Sequence, residues 1–194
     1  MNKITCVWQE SLKYPKVYVE KMASMLKRYG CELEVISPNW LPGWWAKMEL
    51  FNQPYPLRYL DLDTVICGPI DFLFEPCPNM KMLWEVGENG EMANSSIMGW
   101  DEDHKWIFDE FMKDPNGNMS KYKNLPRLGD QAFIYDTMQK EGKTVEFWDS
   151  SNLVHFRNVL WHGADWAGAS ICHWTAQPKP LSMTGHTLVK EHWR

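Results

Sequence analysis

Tyr59-Leu60-Asp61-Leu62-Asp63-Thr64-Val65-Ile66 is the stretch on which the reading of this sequence turns. Two carboxylates separated by one residue follow an apolar run, Leu57 to Leu60, that reads as a strand. If the chain stays extended through them, alternation points both side chains the same way. That makes a hard oxygen site for Mg²⁺ or Mn²⁺, able to hold a diphosphate through bridging oxygens. A solvated turn at a strand end also matches D-x-D, so the motif needs company elsewhere in the chain.

Reading outward, strands and helices alternate. Upstream lie a strand at Lys3 to Trp8, a helix at Lys16 to Tyr29 stopped by Gly30, a strand at Cys31 to Ile36 and a helix at Trp44 to Phe51. Downstream, Thr64 to Cys67 continues the apolar run, and Leu83 to Val86 and Ser96 to Trp100 are further strands. His104 to Lys113 reads as a helix, Asp114 to Asn118 as a loop, and Asp130 to Gln139 as a helix ending near Gly142. Val145 to Trp148, Leu153 to Phe156 and Ala169 to Trp174 complete the strands, and Thr187 to Arg194 closes with a helix. The predicted class is α/β, a mixed central sheet covered by helices on both faces. No repeat or linker-like segment interrupts it, so residues 1–194 are expected to form a single domain.

Bulk properties narrow the function. The 194 residues carry a net charge of −5 with no basic stripe, which points away from nucleic acid. No apolar run is long enough for a leader or a membrane span, so the expected location is the cytoplasm. Five scattered cysteines without a CxxC pair argue against a disulfide framework and a structural zinc site. Twelve tryptophans are unusually many. Most belong in a core, but an exposed indole offers a flat apolar face for a sugar ring.

Two further motifs bear chemistry. Cys172-His173-Trp174-Thr175-Ala176-Gln177-Pro178-Lys179-Pro180 puts an imidazole after an apolar strand and a lysine six residues on. Imidazole is a Mn²⁺ ligand beside carboxylates, and the compact charge of Lys179 suits a phosphate. Gly129-Asp130-Gln131 opens a helix, where Asp130 serves either as an N-cap or, with Gln131, as a partner of sugar hydroxyls. Asn94-Ser95-Ser96 has the same ambiguity.

In order, LDLDTVI, NSSIMGWD, GDQ and HWTAQPKP resemble the retaining GT-A (Rossmann-like) glycosyltransferases of family 8, the glycogenin and lipooligosaccharide galactosyltransferase type. GWWAKMELF, YLDLDTVICGPIDFLF and KEHWR resemble short bacterial and phage glycosyltransferases more closely. The resemblance implies a UDP-sugar donor with Mn²⁺ or Mg²⁺, and Asp61, Asp63 and His173 as metal ligands. Asp61 would also touch the ribose and Lys179 the diphosphate. Lys47 would lie near the phosphates and sugar, Asn94, Asp130 and Gln131 would line the donor-sugar pocket, and Val7 and Trp8 would flank the base. The acceptor, whether glycan, lipid, protein or small molecule, is left open. Ala176 stands where the family has Gly, and Leu181 where Trp is common. A haloacid-dehalogenase-type phosphohydrolase, whose D-x-D-x-T motif also ends a strand, and a non-catalytic sugar-binding module are the rival readings.

Overall fold

A computed structural model describes residues 2–11, 13–87, 90–124, 128–174 and 178–194. In chain order the elements are β1 (Asn2–Val7), α1 (Val17–Lys27), β2 (Cys31–Ile36), a 3₁₀ helix (Gly43–Asn52), β3 (Leu57–Leu60), β4 (Val65–Ile66), β5 (Met80–Gly87) and β6 (Gly90–Trp100). There follow α2 (Lys105–Met112), α3 (Pro115–Lys121), α4 (Gly129–Lys140), β7 (Val145–Phe147), β8 (Leu153–His155), α5 (Phe156–His162), β9 (Ile171–His173) and α6 (Thr187–His192). The class is the expected one, α/β with mixed sheets flanked by helices. Two compact units interleave along the chain, one built from Met1–Val35, Leu60–Glu75 and Asp149–Arg194, the other from Ile36–Tyr59 and Pro76–Trp148.

In the first unit β2 lies beside β1, and β9 is the middle strand between β4 and β8. β9 runs antiparallel to β4 and parallel to β8, with Val65 opposite Cys172 and His155 opposite His173. α1 and α6 pack on β4. The spacing of Tyr18, Met22, Met25 and Leu26, all buried, puts one apolar stripe of α1 against that sheet. Val17, the first residue of α1, is only partly buried and is not a member of this stripe. The buried residue is Tyr18, whose ring meets those of Tyr14 and Trp193 edge-on at 5.3 Å each.

In the second unit β3, β6, β5 and β7 lie side by side in that order. β5 is antiparallel to β6 and parallel to β7, which makes this sheet mixed as well. α4 packs on β6, and α2 and α4 pack on the 3₁₀ helix. Trp45 stacks on Phe111 at 5.4 Å and Phe51 on Trp100 at 4.9 Å, so these tryptophans are core residues. Arg58 is buried. It donates to the carbonyls of Leu57 and Trp100 at 3.0 Å and to Asp101 at 2.6 Å, which spares its charge an unpaired burial.

Three local expectations need correction. Trp44 to Phe51 lies in a 3₁₀ helix, not an α-helix: Trp45 N–H bonds to Pro42 and Gln53 N–H to Leu50, both three residues back. Asp114 to Asn118 is not a loop. Asp114 caps α3 by accepting from Gly117 N–H, with Pro115 in the first turn, where a missing N–H does no harm. The D-x-D pair is not extended: Thr64 N–H bonds back to Asp61 C=O at 3.0 Å, closing a turn between β3 and β4. All five cysteines are free thiols. Among the described residues no helix is long and apolar enough to cross a membrane.

Candidate active site

The candidate residues gather in two clusters, one in each unit. In the first unit the turn after β3 carries Asp61 and Asp63. Cys6, near the end of β1, donates its thiol to the carbonyl of Leu60 at 2.9 Å and so fixes the start of that turn. Asp63 is 2% exposed and holds the ammonium of Lys179 on Oδ2, itself only 7% exposed. The same oxygen accepts the Tyr14 hydroxyl at 2.8 Å, and Lys179 Nζ lies 5.7 Å from the Tyr14 ring centre. Trp8 donates its indole N–H to the carbonyl of Tyr14 at 3.1 Å. Thus Trp8, Asp63 and Lys179, far apart in sequence, are joined through Tyr14, and Val7 sits next to Trp8 at the end of β1.

Electrostatics tie the remaining members in. Burial pushes the Asp63 carboxyl above the usual carboxylate range; the charge of Lys179 opposes this and that of Asp61 adds to it. His173, at the end of β9, is pushed down to about 3 by burial and by neighbouring His155, against the charge of Asp61. It is therefore a neutral imidazole at physiological pH, the form that binds metal. Its Nδ1 is buried and has no hydrogen-bond partner among the described residues, and the same holds for Thr64 Oγ1 beside Asp63.

This donor set suits a divalent cation in kind: two carboxylates, a neutral imidazole whose Nδ1 has no partner among the described residues, and the Thr64 hydroxyl, likewise without one. As arranged, however, no three His, Cys, Asp or Glu residues among those described are grouped to hold one. The positive charge at Asp63 is supplied by Lys179 on Oδ2, and a cation bound by that oxygen would compete with the ammonium.

In the second unit the 3₁₀ helix delivers Lys47 to the start of α4. Lys47 Nζ lies 3.0 Å from Ser95 Oγ and 3.6 Å from Asp130 Oδ2, and 5.5 Å from the Tyr59 ring centre. Ser95 donates its hydroxyl to the same Asp130 oxygen at 2.6 Å. Leu128 occupies the N-cap, so Asp130 is a first-turn residue of α4 and not its cap. There its charge is also favoured by the helix dipole. Asn94 donates to Glu85 and accepts from Ser96 N–H at 2.7 Å, while Gln131 Nε2 meets the sulfur of Met92 at 3.3 Å. Lys47 and Asp130 are thus brought together, with Asn94 and Gln131 at the margin of the same cluster.

Sequence reasoning missed Tyr14 and His155. Tyr14 lies in an irregular segment with no motif around it. His155 did leave a trace: Leu153-Val154-His155 and Ile171-Cys172-His173 are both apolar tripeptides ending in His, and parallel pairing sets the two rings edge-on at 4.7 Å. His155 also accepts from Arg157 N–H and caps α5. The segment holding Ala176, the family departure, lies outside the described residues.

The depressed His173 has a consequence for folding. An imidazole that protonates more readily in the unfolded chain withdraws stability as pH falls from about 6.5 towards about 3, and is silent above that window. Asp63, raised on folding, contributes with the opposite sign. In EDTA, urea midpoints of wild type and His173→Gln measured from pH 7.5 to 4 should therefore converge as pH falls. Parallel profiles would show that His173 is not buried as a neutral ring.

No family model and no curated protein matches this sequence. Solved structures do resemble it. The glycosyltransferase GlyE of Streptococcus pneumoniae TIGR4 aligns with a TM-score of 0.57 at 16% identity, over 92% of this chain and 49% of that one. A glycosyltransferase involved in the glycosylation of the major capsid of PBCV-1 gives 0.62 at 13% identity, over 88% and 92%. Mouse xyloside xylosyltransferase 1 gives 0.50 at 12% identity, over 89% and 97%. The chain spans about half the length of the GlyE chains it matches. At these identities the likeness establishes the fold, GT-A-like α/β, and the function is argued from the residues.

Proposed function

We propose that this protein is a metal-dependent glycosyltransferase that moves a hexose from a UDP-sugar to a glycan, lipid, protein or small-molecule acceptor, with retention. One observation carries the reading: a buried carboxylate on the turn after β3, Asp63, holds Lys179 from the far end of the sequence, in a unit that also contains Asp61 and a neutral buried His173. A site built to balance concentrated negative charge with movable positive charge suits a diphosphate leaving group. The GT-A-like fold, shared with three glycosyltransferases, supports the same reading.

Asp61, Asp63 and His173 would hold Mn²⁺ or Mg²⁺, which when bound supplies Lewis-acid charge to the diphosphate. Lys179, released from Asp63, places its ammonium on the departing phosphate and stabilises the charge that develops there. Asp130 offers a carboxylate to the oxocarbenium-like sugar, with Gln131 as a hydrogen-bonding neighbour. Among the described cysteines burial raises every thiol, Cys67 to about 12, which leaves none of them poised as a nucleophile. We assign retention to front-face attack, with the departing phosphate taking the acceptor's proton; a covalent route would have to use a carboxylate such as Asp130 instead.

The test is thermal melting with UDP, UDP-glucose, UDP-galactose and GDP-mannose, each with and without Mn²⁺, on wild type and His173→Ala. A ligand at a hundred times its Kd adds about 2.7 kcal/mol, several degrees for a chain of this size. The expected result is a Mn²⁺-dependent rise with a UDP-sugar that the variant lacks. No shift with any nucleotide overturns the reading.

A further inference from the structure

Arg28 and Arg58 have their guanidinium groups engaged by the fold. Arg28 donates to the carbonyls of Ile66 and His192 at 3.3 and 2.6 Å, and Arg58 to two carbonyls and Asp101. Arg157 is placed differently. Its peptide N–H is held by His155 Nδ1 at 3.1 Å, yet its guanidinium has no hydrogen bond or ion pair to a described residue. The Nε of that group is buried without an acceptor among those residues. The guanidinium carbon lies 5.1 Å from the ring centre of Trp161, which is 57% exposed.

The pair is held at a fixed place. Arg157 and Trp161 are one turn apart on the same face of α5, which His155 caps at its start and Gly163, at φ +63°, closes at its end. Phe156 is buried and stacks on Trp174 at 3.9 Å, tying the first turn of α5 to the residue after His173. The ring of His155, which holds the Arg157 peptide, meets that of His173 at 4.7 Å. Arg157 is thus linked through His155 to a candidate site residue of its own unit.

A guanidinium is always charged and carries donors only, so the group that completes it is an oxyanion. Held over an aromatic ring it is partly desolvated and its fork is oriented, which favours two parallel bonds to one phosphate or carboxylate. We infer that Arg157, steadied by Trp161, is the binding site for a substrate oxyanion, a phosphate or a carboxylate. This rests on the transferase reading, in which Lys179 and the cation face the donor diphosphate and no residue is assigned to the acceptor. The oxyanion belongs either to an anionic acceptor or to that diphosphate, and binding separates the two.

The experiment is calorimetric titration in Mg²⁺ with glucose, glucuronate, glycerol phosphate and UDP, on wild type, Arg157→Gln and Arg157→Lys. Lys27→Gln, in the last turn of α1, is the control of equal charge change. Wild type should bind an anion more tightly than glucose, and Arg157→Gln should weaken that anion about 10–100-fold while Lys27→Gln leaves it nearly unchanged. Arg157→Lys, which keeps the charge but not the fork, should fall between. Loss on glucuronate or glycerol phosphate with UDP unchanged assigns the acceptor; loss on UDP assigns the donor diphosphate. Because the guanidinium bonds to no described residue, Arg157→Gln should melt like wild type in the absence of ligand. The inference is overturned if wild type binds no anion more tightly than glucose, or if Lys27→Gln weakens binding as much as Arg157→Gln does. It is also overturned if Arg157→Gln binds every anion as tightly as wild type; UDP bound equally by both then leaves the transferase reading standing. If UDP fails to bind while glycerol phosphate binds through Arg157, the oxyanion site stands and the transferase reading falls.

Discussion

Lys179→Met should destabilise the metal-free protein by about 3–5 kcal/mol, the usual consequence of leaving a buried charge without its partner. Asp63 and Lys179 are 2% and 7% exposed, so water cannot take over the role of either. Tyr14 would still donate to Asp63, but a neutral hydroxyl replaces little of an ammonium's charge. The measurement is a urea melt in EDTA, repeated with Asp63→Asn and with the double variant. Because the loss arises from the orphaned partner, the double variant should lose far less stability than the two single losses added together. Mn²⁺ should then recover Lys179→Met more than wild type, since only in wild type does the cation compete with an ammonium for Asp63. Additive single losses, or equal recovery by Mn²⁺, would mean that Lys179 and the cation do not share Asp63.

This competition also explains what the sequence could and could not convey. Asp61-Leu62-Asp63 is visible as a motif, and Lys179 stood out as a candidate phosphate ligand because it follows His173 at a set distance. That the two meet across 116 positions is a product of folding alone. α4 was legible because one face is buried, through Phe133, Ile134, Thr137 and Met138, and β2 because its residues alternate in polarity: they fall on Gly129–Lys140 and Cys31–Ile36, close to their patterns. The Gly43–Asn52 helix was legible in extent but not in type. Its apolar residues are buried nearly all round, so neither a 3.6- nor a 3.0-residue period stands out. The turn at D-x-D escaped because Leu62 between the carboxylates continues an apolar pattern that an extended strand would also show. Tyr14 and Ser95 act through hydrogen bonds whose partners lie 49 and 35 residues away, which no local pattern records.

Asp130→Asn should lower kcat/KM per folded molecule by about 10²–10³, the scale expected when one aligned electrostatic group is lost from a reacting site, and it should also cost some stability because buried Lys47 loses its counter-charge. The change is isosteric. The amide oxygen it introduces can still accept the Ser95 hydroxyl now held at 2.6 Å, so α4 keeps its anchor to β6. What disappears is the negative charge 3.6 Å from Lys47 Nζ, and with it the charge that the proposed reading offers to a cationic sugar in the transition state. A lower melting temperature is expected in either case; a purely structural role would leave kcat per folded molecule unchanged. A role in the reaction would appear in kcat, with UDP-sugar affinity held within a few-fold, because the proposed reading assigns the diphosphate to other residues. Transfer retained within about threefold of wild type would make Asp130 the structural counter-ion of Lys47. The carboxylate that faces the developing charge would then have to be sought elsewhere, with Glu85, which receives the Asn94 amide, as the next candidate in the same unit.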